Sequence, residues 1–465
     1  MADTAKNPKD YPLPPGSGGL PLLGEVLAFR KDGRRFFLER FRKYGPIFQT
    51  RLGGKVVCLV GPEAVTFLQD TRYFDRVDAN GAPAPLMNSN ALPLLSGDKH
   101  AVRKTLVNQA LSRAALNSYL PLLESIVERW ISRWHVLTEF TWLDEFEKFG
   151  TGLTNALLLG ELTGSTEPDL EETYRRFANG LGALPLNLPF TPYRKSLRSR
   201  DKLSVLINES IALHRKARSD GEPFNNIMTG LINARDGNNV LDDEALRDEV
   251  LHLFLAFTAV RLVLTAMCLG LGQHRAVMQQ ARDEVLDKCP TDPRTRDLLP
   301  LTMDTLDKLK YLGALAREVR RINPPVPNTF LSRVKEDTVF NNYRVKKGWK
   351  AIGGLYATMN VPETFDDPFT FDPERFSKER SGRSPGSYCP QGVSSEEDLA
   401  DGEPFRGHRC AGEPFIDTLM KVVAVHLLRG YTWSLPPQDL EYTTDFFPVP
   451  RDGLKVLFRP LYTDS

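Results

Sequence analysis

Apolar residues recur at helical spacing along most of the chain and alternate only in short runs, which predicts a mainly α structure with smaller β-sheets. Tyr11 to Gly24 is a Pro/Gly-rich extended stretch, not a helix, and completes a lead-in over residues 1–24. Asp32 to Tyr44 places Phe36, Phe37, Phe41 and Tyr44 on one helical face, and Gly45-Pro46 ends it. Ile47 to Arg51 and Lys55 to Val60 read as a hairpin around Gly53-Gly54. A short helix runs from Gly61-Pro62 through Leu68, and Ala79 to Gly97 is irregular. A loop that long commonly covers a ligand. Amphipathic helices follow at Asn117 to Leu137, Asp169 to Asn179 and Ser196 to Ser219, with a Pro-rich connection at Pro185 to Pro192. Thr338 to Val345 and Lys350 to Leu355 read as strands joined by a turn at Lys346-Lys347-Gly348.

The longest periodic stretch is Asp242 to His274, apolar almost all round from Val250 to Leu271. Such a helix runs through the middle of a domain. His252 and Arg261 inside the run argue against a transmembrane span. Thr258 within it needs a partner, most simply a carbonyl one turn earlier. Tyr311 to Ile322 is a further helix with Glu318 and Arg321 at i, i+3, and Asn323-Pro-Pro-Val-Pro ends it.

Residues 403–428 hold the most distinctive chemistry. Cys410 follows His408 and Arg409, precedes Ala411-Gly412, and stands just before an apolar helix. Neighbouring cations and a helix N-terminus both favour a thiolate, and a loop-held thiolate is one way a haem iron is ligated. His100, Arg103 and Lys104 share a helix face, which is either a solvated basic face or a cradle for anionic groups such as haem propionates.

Composition narrows the classes. The net charge is +1 over 465 residues, which gives no reason to expect nucleic acid as a partner. The five cysteines are scattered without a CxxC pair, against a disulfide framework or structural zinc and in favour of a reducing compartment. The polar N-terminus carries neither signal peptide nor transmembrane anchor, so a cytoplasmic protein is expected, soluble or touching membranes peripherally through Leu20 to Leu23.

In order and over nearly the whole chain, these pieces resemble the cytochrome P-450 superfamily: the Pro-rich lead-in, the helix at His100, the long central helix, Glu318-x-x-Arg321, Pro-Pro-Val-Pro, Pro373-Glu-Arg-Phe376 and His408-Arg-Cys-Ala-Gly412. The resemblance implies one P-450 domain over 1–465 and haem b under the central helix, with Cys410 as axial iron ligand. It implies that Glu318, Arg321 and Arg375 form a structural triad, and that His100, Lys104, Arg333 and His408 face the propionates. The register from Gln273-His274 puts Thr258-Ala259 where oxygen-activating members carry an acid and a threonine. Glu403 replaces the Phe seven residues before the cysteine, beside an acidic run of Glu396, Glu397, Asp398 and Asp401.

Those departures resemble the clan of allene oxide synthases, hydroperoxide lyases and epoxyalcohol synthases, whose Phe-Asn-Ala is matched by Phe257-Thr-Ala259 and whose Lys-His-Ala-x-x-Lys by Lys99 to Lys104. Pro390-Gln-Gly392 and the Cys loop are also similar to fatty acid peroxygenases, although Leu255-Ala256 replaces their Arg-Pro. The expectation is a haem-thiolate enzyme that rearranges polyunsaturated fatty acid hydroperoxides, most simply to epoxyalcohols, without dioxygen or an obligatory redox partner. Thr258, Ala259 and Cys410 would act on the peroxide, and Leu255, Phe257, Arg261 and Val326 would touch substrate, Arg261 as a carboxylate anchor or a structural ion pair. Ala79 to Leu95, Pro185 to Pro192 and the residues after Pro327 would line the pocket. The alternative is a lipid or terpenoid hydroxylase, either peroxide-fed or reductase-fed.

Overall fold

A computed structural model describes residues 7–461 except 22, 77–83, 89, 161–166, 222–224, 296, 381–385, 394–407 and 445–446. The lead-in is extended and leads to helices α1 (Val26–Lys31) and α2 (Gly33–Tyr44). Gly24 closes the turn at φ +62°, where a Cβ would stand 2.2 Å from the Arg51 carbonyl oxygen, so only glycine fits. Asp32 caps α2 by accepting from the Arg35 N–H at 2.9 Å.

The five-stranded sheet has the order β1-β2-β8-β5-β3, from Ile47–Arg51, Lys55–Leu59, Lys350–Gly353, Ser332–Val334 and Phe74–Arg76. The β2–β8 pair is parallel and the other neighbours are antiparallel. A second sheet joins β4 (Glu139–Thr141), β10 (Lys455–Pro460) and β9 (Tyr431–Ser434). The expected strand 338–345 is instead a hairpin of β6 (Thr338–Phe340) and β7 (Tyr343–Val345). It turns at Asn341 and Asn342, both at positive φ, which Asn tolerates without glycine.

The helical body holds α3 (Pro62–Phe67), α4 (Ala84–Met87), α5 (Gly97–Ala110), α6 (Arg113–Leu137), α7 (Trp142–Thr154), α8 (Glu167–Ala178), α9 (Pro192–Ser219), α10 (Ile227–Asn233), α11 (Asp243–Gln273), α12 (Arg275–Lys288), α13 (Met303–Lys308), α14 (Lys310–Ile322), α15 (Leu355–Met359) and α16 (Glu413–Gly430). Asp242 caps α11, accepting from the Ala245 N–H at 2.8 Å, and Asp243 and Glu244 complement its dipole. Among the described residues α11 is the one helix long and apolar enough to cross a membrane, and 83% of its apolar window is buried inside the fold. It packs between α7, α8 and α9 on one side and α14 and α16 on the other.

The part of 79–97 that is described is not structureless, since α4 and a 3-10 turn at Leu92–Leu94 occupy it. The segment 184–190 departs from the expected pocket lining. Leu184, Leu186, Leu188 and Phe190 all lie at the surface, Phe190 at 90% exposure. Leu20, Leu23 and Leu27 are exposed as well, and Arg30 of α1 donates to the Gly182 carbonyl at 2.9 Å, which ties the two segments together.

Candidate functional site

Cys410 lies three residues before Glu413–Gly430, with Gly412 at the cap position, so the thiol does stand at a helix N-terminus. Its N–H donates to the Gln391 carbonyl at 2.9 Å. Gly392 follows at φ +90°, and a Cβ there would sit 3.5 Å from the His408 carbonyl oxygen. The 390–392 turn is therefore the second support of the Cys loop, a role the sequence reading did not give Gln391. Lys104 of α5 donates to the Arg409 carbonyl, and the rings of His100 and His408 stand 4.0 Å apart between centroids. Helix α5 thus docks on the Cys loop through two of the predicted propionate ligands. Arg333 is exposed on β5 between buried Ser332 and Val334, so its side chain leaves the opposite face of the strand. The acidic run 396–403 lies outside the described residues.

The charges around the thiol differ from the sequence expectation. Arg409 is taken up by Glu413 in a bidentate pair at 2.7 and 2.9 Å. Burial pushes the Cys410 thiol up, while Lys104, the Gly412 N–H and Arg320 pull it down and Glu413 raises it again; the net direction is up. Arg320, 2% exposed, is held by Gln391 at 3.0 Å and Asp417 at 2.8 Å and was missed because it reads as one more helical arginine. Cys410 is nonetheless accessible. A metal bound there would deprotonate it outright.

The predicted triad meets. Arg321 donates to both Glu318 oxygens at 2.7 and 2.9 Å, with neither side chain exposed, and to the Met359 and Pro368 carbonyls at 2.9 and 2.7 Å. Arg375 approaches Glu318 at 3.4 Å and donates to the carbonyls of Asp366 and Asp367. Glu318 also accepts the Asp372 N–H at 2.9 Å, which pins the turn before Pro373–Phe376 to α14.

The faces of α11 separate the remaining candidates. Thr258 is buried, and its recorded partner is the Tyr174 hydroxyl of α8 at 3.4 Å, not a carbonyl one turn earlier. Arg261 pairs with Glu147 of α7 at 3.1 Å, so it is an ion pair and not a free carboxylate anchor. Together with Phe257, Tyr174, Arg175 and Asn179 they line a pocket of about 210 Å³ on the α7–α8 side. Ala256 is exposed and Ala259 half-buried in an otherwise buried run, so the opening along the helix lies at these two small residues. Leu255 is buried, Phe257 packs on Phe415 of α16 at 5.3 Å between centroids, and Val326 is 37% exposed beyond α14. Thr258 and Ala259, adjacent in sequence, therefore serve different sides of the helix.

The residues suit haem b. An accessible thiol at a helix N-terminus, two histidines and a lysine beside it, and small residues on the central helix form the donor set and clearance that a haem requires. No group of three or more His, Cys, Asp and Glu among the described residues forms a separate metal site.

The cytochrome P450 family model matches residues 14–458. Cytochrome P450 120 of Synechocystis sp. is 31% identical over 469 residues, covering 99% of this chain and 100% of that protein. Abscisic acid 8'-hydroxylase 1 of Oryza sativa subsp. japonica is 27% identical, covering 98% and 92%. The solved structure of retinoic acid bound cyanobacterial CYP120A1 superposes with a TM-score of 0.84 at 31% identity, covering 97% of this chain and 100% of that one.

These relatives overturn the expected rearrangement of fatty acid hydroperoxides. The likeness to that clan rested on local features, among them Phe257-Thr-Ala259, Lys99 to Lys104 and Asn323 to Pro327, whereas the similarity to P450 120 and to a hydroxylase spans the chain. In this structure the Thr258 hydroxyl lies 3.4 Å from the Tyr174 hydroxyl of α8. The expectation that no redox partner is needed falls with that rearrangement. Hydroxylation of a C–H bond by dioxygen, with the second oxygen atom reduced to water, consumes two electrons that come from outside the chain.

Proposed function

The chain belongs to the cytochrome P450 family and binds haem b, and from that premise we propose that it is a monooxygenase hydroxylating a terpenoid or similarly lipophilic carboxylic acid with electrons from a separate redox protein. One observation carries the reading. The relatives that match over the whole chain include a P450 whose structure holds retinoic acid and an enzyme named for hydroxylating abscisic acid, and both molecules are isoprenoid carboxylic acids.

Bound haem b supplies an iron at which dioxygen is reduced and one of its atoms is inserted into a C–H bond. Cys410 would hold the iron in this reading, and the docking of Lys104 and His100 on the Cys loop beside His408 supports their role in holding the propionates, which Arg333 would share. Glu318, Arg321 and Arg375 hold the strands and turns under the site. Ala256 and Ala259 leave room for water where larger side chains would fill the opening, and ordered water or a polar group of the substrate delivers protons there. The exposed leucines of the 20–27 and 184–188 segments support peripheral contact with lipid, where such acids partition.

The test uses haem-loaded protein, a ferredoxin with its reductase, NADPH and labelled dioxygen, with retinoic acid and abscisic acid as probes. The expected result is NADPH-dependent addition of one labelled oxygen atom to at least one of them. Failure of both acids to perturb the haem spectrum and to yield product would reject the substrate class.

A further inference from the structure

Consecutive positions on a helix leave it about 100° apart, so Arg320 of α14 turns away from the Glu318–Arg321 pair and toward α16. Each of its nitrogens donates there. Nε donates to the Ala316 carbonyl at 3.0 Å, one Nη to the Gln391 side-chain oxygen at 3.0 Å and the other to Asp417 at 2.8 Å. The Gln391 carbonyl in turn accepts the Cys410 N–H at 2.9 Å. Two hydrogen bonds and one glutamine therefore join a buried cation to the residue that carries the sulfur.

Stability alone does not call for this cation. An apolar side chain of similar size would hold α14 on α16 as well, because desolvating an ion pair costs about as much as its attraction gains. The charges around the loop are also unequal. Glu413 is matched by Arg409 in their bidentate pair. The Asp417 side chain is 33% exposed against 2% for Arg320. Asp417 also meets Lys421 at 3.4 Å, so water and a second cation screen its charge while that of Arg320 is shielded from solvent. Lys104 from α5 and Arg320 from α14 are the cations that act on the sulfur. We propose that Arg320 is a positioning residue for the iron's ligand: through Gln391 it fixes the Cys410 loop, and its buried charge draws electron density from the sulfur and raises the reduction potential of a haem iron held there. An added electron makes the site more negative, and a nearby buried cation favours that state. An outside donor then reduces the iron more readily. The inference rests on Cys410 as the ligand and not on which substrate is hydroxylated.

Spectroelectrochemical titration of the haem-loaded protein, together with the C–O stretch of its ferrous carbon monoxide complex, tests it. Arg320→Met and Asp417→Asn break the same ion pair but leave opposite charges behind. Arg320→Met should disfavour the ferrous state about tenfold, a fall of about 59 mV for one electron. Asp417→Asn should raise the potential, and Arg320→Lys should stay close to the parent because it keeps the charge. The C–O stretch should fall in Arg320→Met and rise in Asp417→Asn, since a more electron-rich thiolate passes more density to the bound gas. A pair with a purely structural role would move both variants in one direction. That result, or an Arg320→Met potential no lower than the parent's, overturns the proposal. Should Arg320→Met not fold, Asp417→Asn decides, and a potential at or below the parent's overturns it. A parent lacking the thiolate-type absorption would overturn the ligand assignment and this inference with it, whereas unmoved potentials overturn this inference alone.

Discussion

Arg321→Met should be among the most destabilising single changes in this protein. Arg321 and Glu318 are both fully buried, and the guanidinium satisfies the Glu318 carboxylate together with the Met359 and Pro368 carbonyls. Methionine fills much of the volume but leaves a buried carboxylate with only the Asp372 N–H and the more distant Arg375. Breaking a buried pair in this way costs about 3–5 kcal/mol. That is a large share of the roughly 5–15 kcal/mol that holds a folded protein. With a urea slope of about 3 kcal/mol/M, the unfolding midpoint falls by about 1 M or more. The double variant Glu318→Leu/Arg321→Met removes the stranded charge and should recover part of the loss. Recovery is incomplete because the two carbonyls and the Asp372 N–H still lack partners. Arg321→Lys should fall between, since an ammonium cannot span Glu318 and two carbonyls as the planar fork does. Urea unfolding of the four proteins, followed by far-UV circular dichroism, measures the series. A midpoint for Arg321→Met within about 0.2 M of the parent would show that the pair carries little of the fold's stability and would refute the reasoning.

Cys410→Ser should abolish the thiolate-type absorption of the ferrous carbon monoxide complex while leaving the far-UV spectrum unchanged; retention of that absorption would remove Cys410 as the ligand. Thr258→Ala loses one long hydrogen bond to Tyr174, worth about 1 kcal/mol or less, so product formed per NADPH should change by less than about fivefold. Ala259→Thr places a hydroxyl at the opening instead and should raise that ratio, and a larger effect at 258 than at 259 would reverse the assignment of faces. Burial pushes Glu249 up, but hydrogen bonds from His252 at 2.7 Å and the Leu92 N–H at 3.0 Å, with the His252 and Arg103 charges, hold its carboxyl below the usual range. A lowered folded value means that its stabilisation is present above the unfolded value of about 4.3 and is lost as pH falls through the folded one. Glu249→Gln should therefore destabilise at pH 7 by about 1–3 kcal/mol and by less in the acid limb, measured by thermal melts across pH; an equal cost at both ends would contradict this.

The helices were legible because their apolar faces and punctuation agree. Asp32, Asp242 and the Pro/Gly pairs at 45–46 and 61–62 mark ends that the structure keeps within two residues. The β6–β7 hairpin was not, because Asn341-Asn342 sits inside a run that otherwise reads as one strand. In the site, Cys410, Glu318 and Arg321 announce themselves through spacing. Arg320 and Gln391 do not, since their importance lies in contacts across 71 and 97 positions of chain, Arg320 to Gln391 and to Asp417.

The functional misreading came from α11, and its cause is geometric. Residue identities at 257–259 were read as though all three met a ligand over Cys410. In the fold Thr258 and Arg261, one turn apart, look toward α8 and α7, and Phe257 lines the same pocket while also meeting Phe415 of α16. Ala256 and Ala259 are the least buried residues between Leu253 and Val260. A threonine in that triplet therefore says nothing about peroxide binding, and the missing acid and threonine say nothing about which oxidant is used. What the alanines do establish is that no side chain of α11 offers a proton from positions 256 or 259. In a hydroxylase that proton must then travel through water or the substrate itself, and turnover should depend on how well a given acid orders the water beside these two residues. Substrates that fill the opening completely should bind tightly yet waste electrons, whereas those leaving a water beside Ala259 should convert them to product.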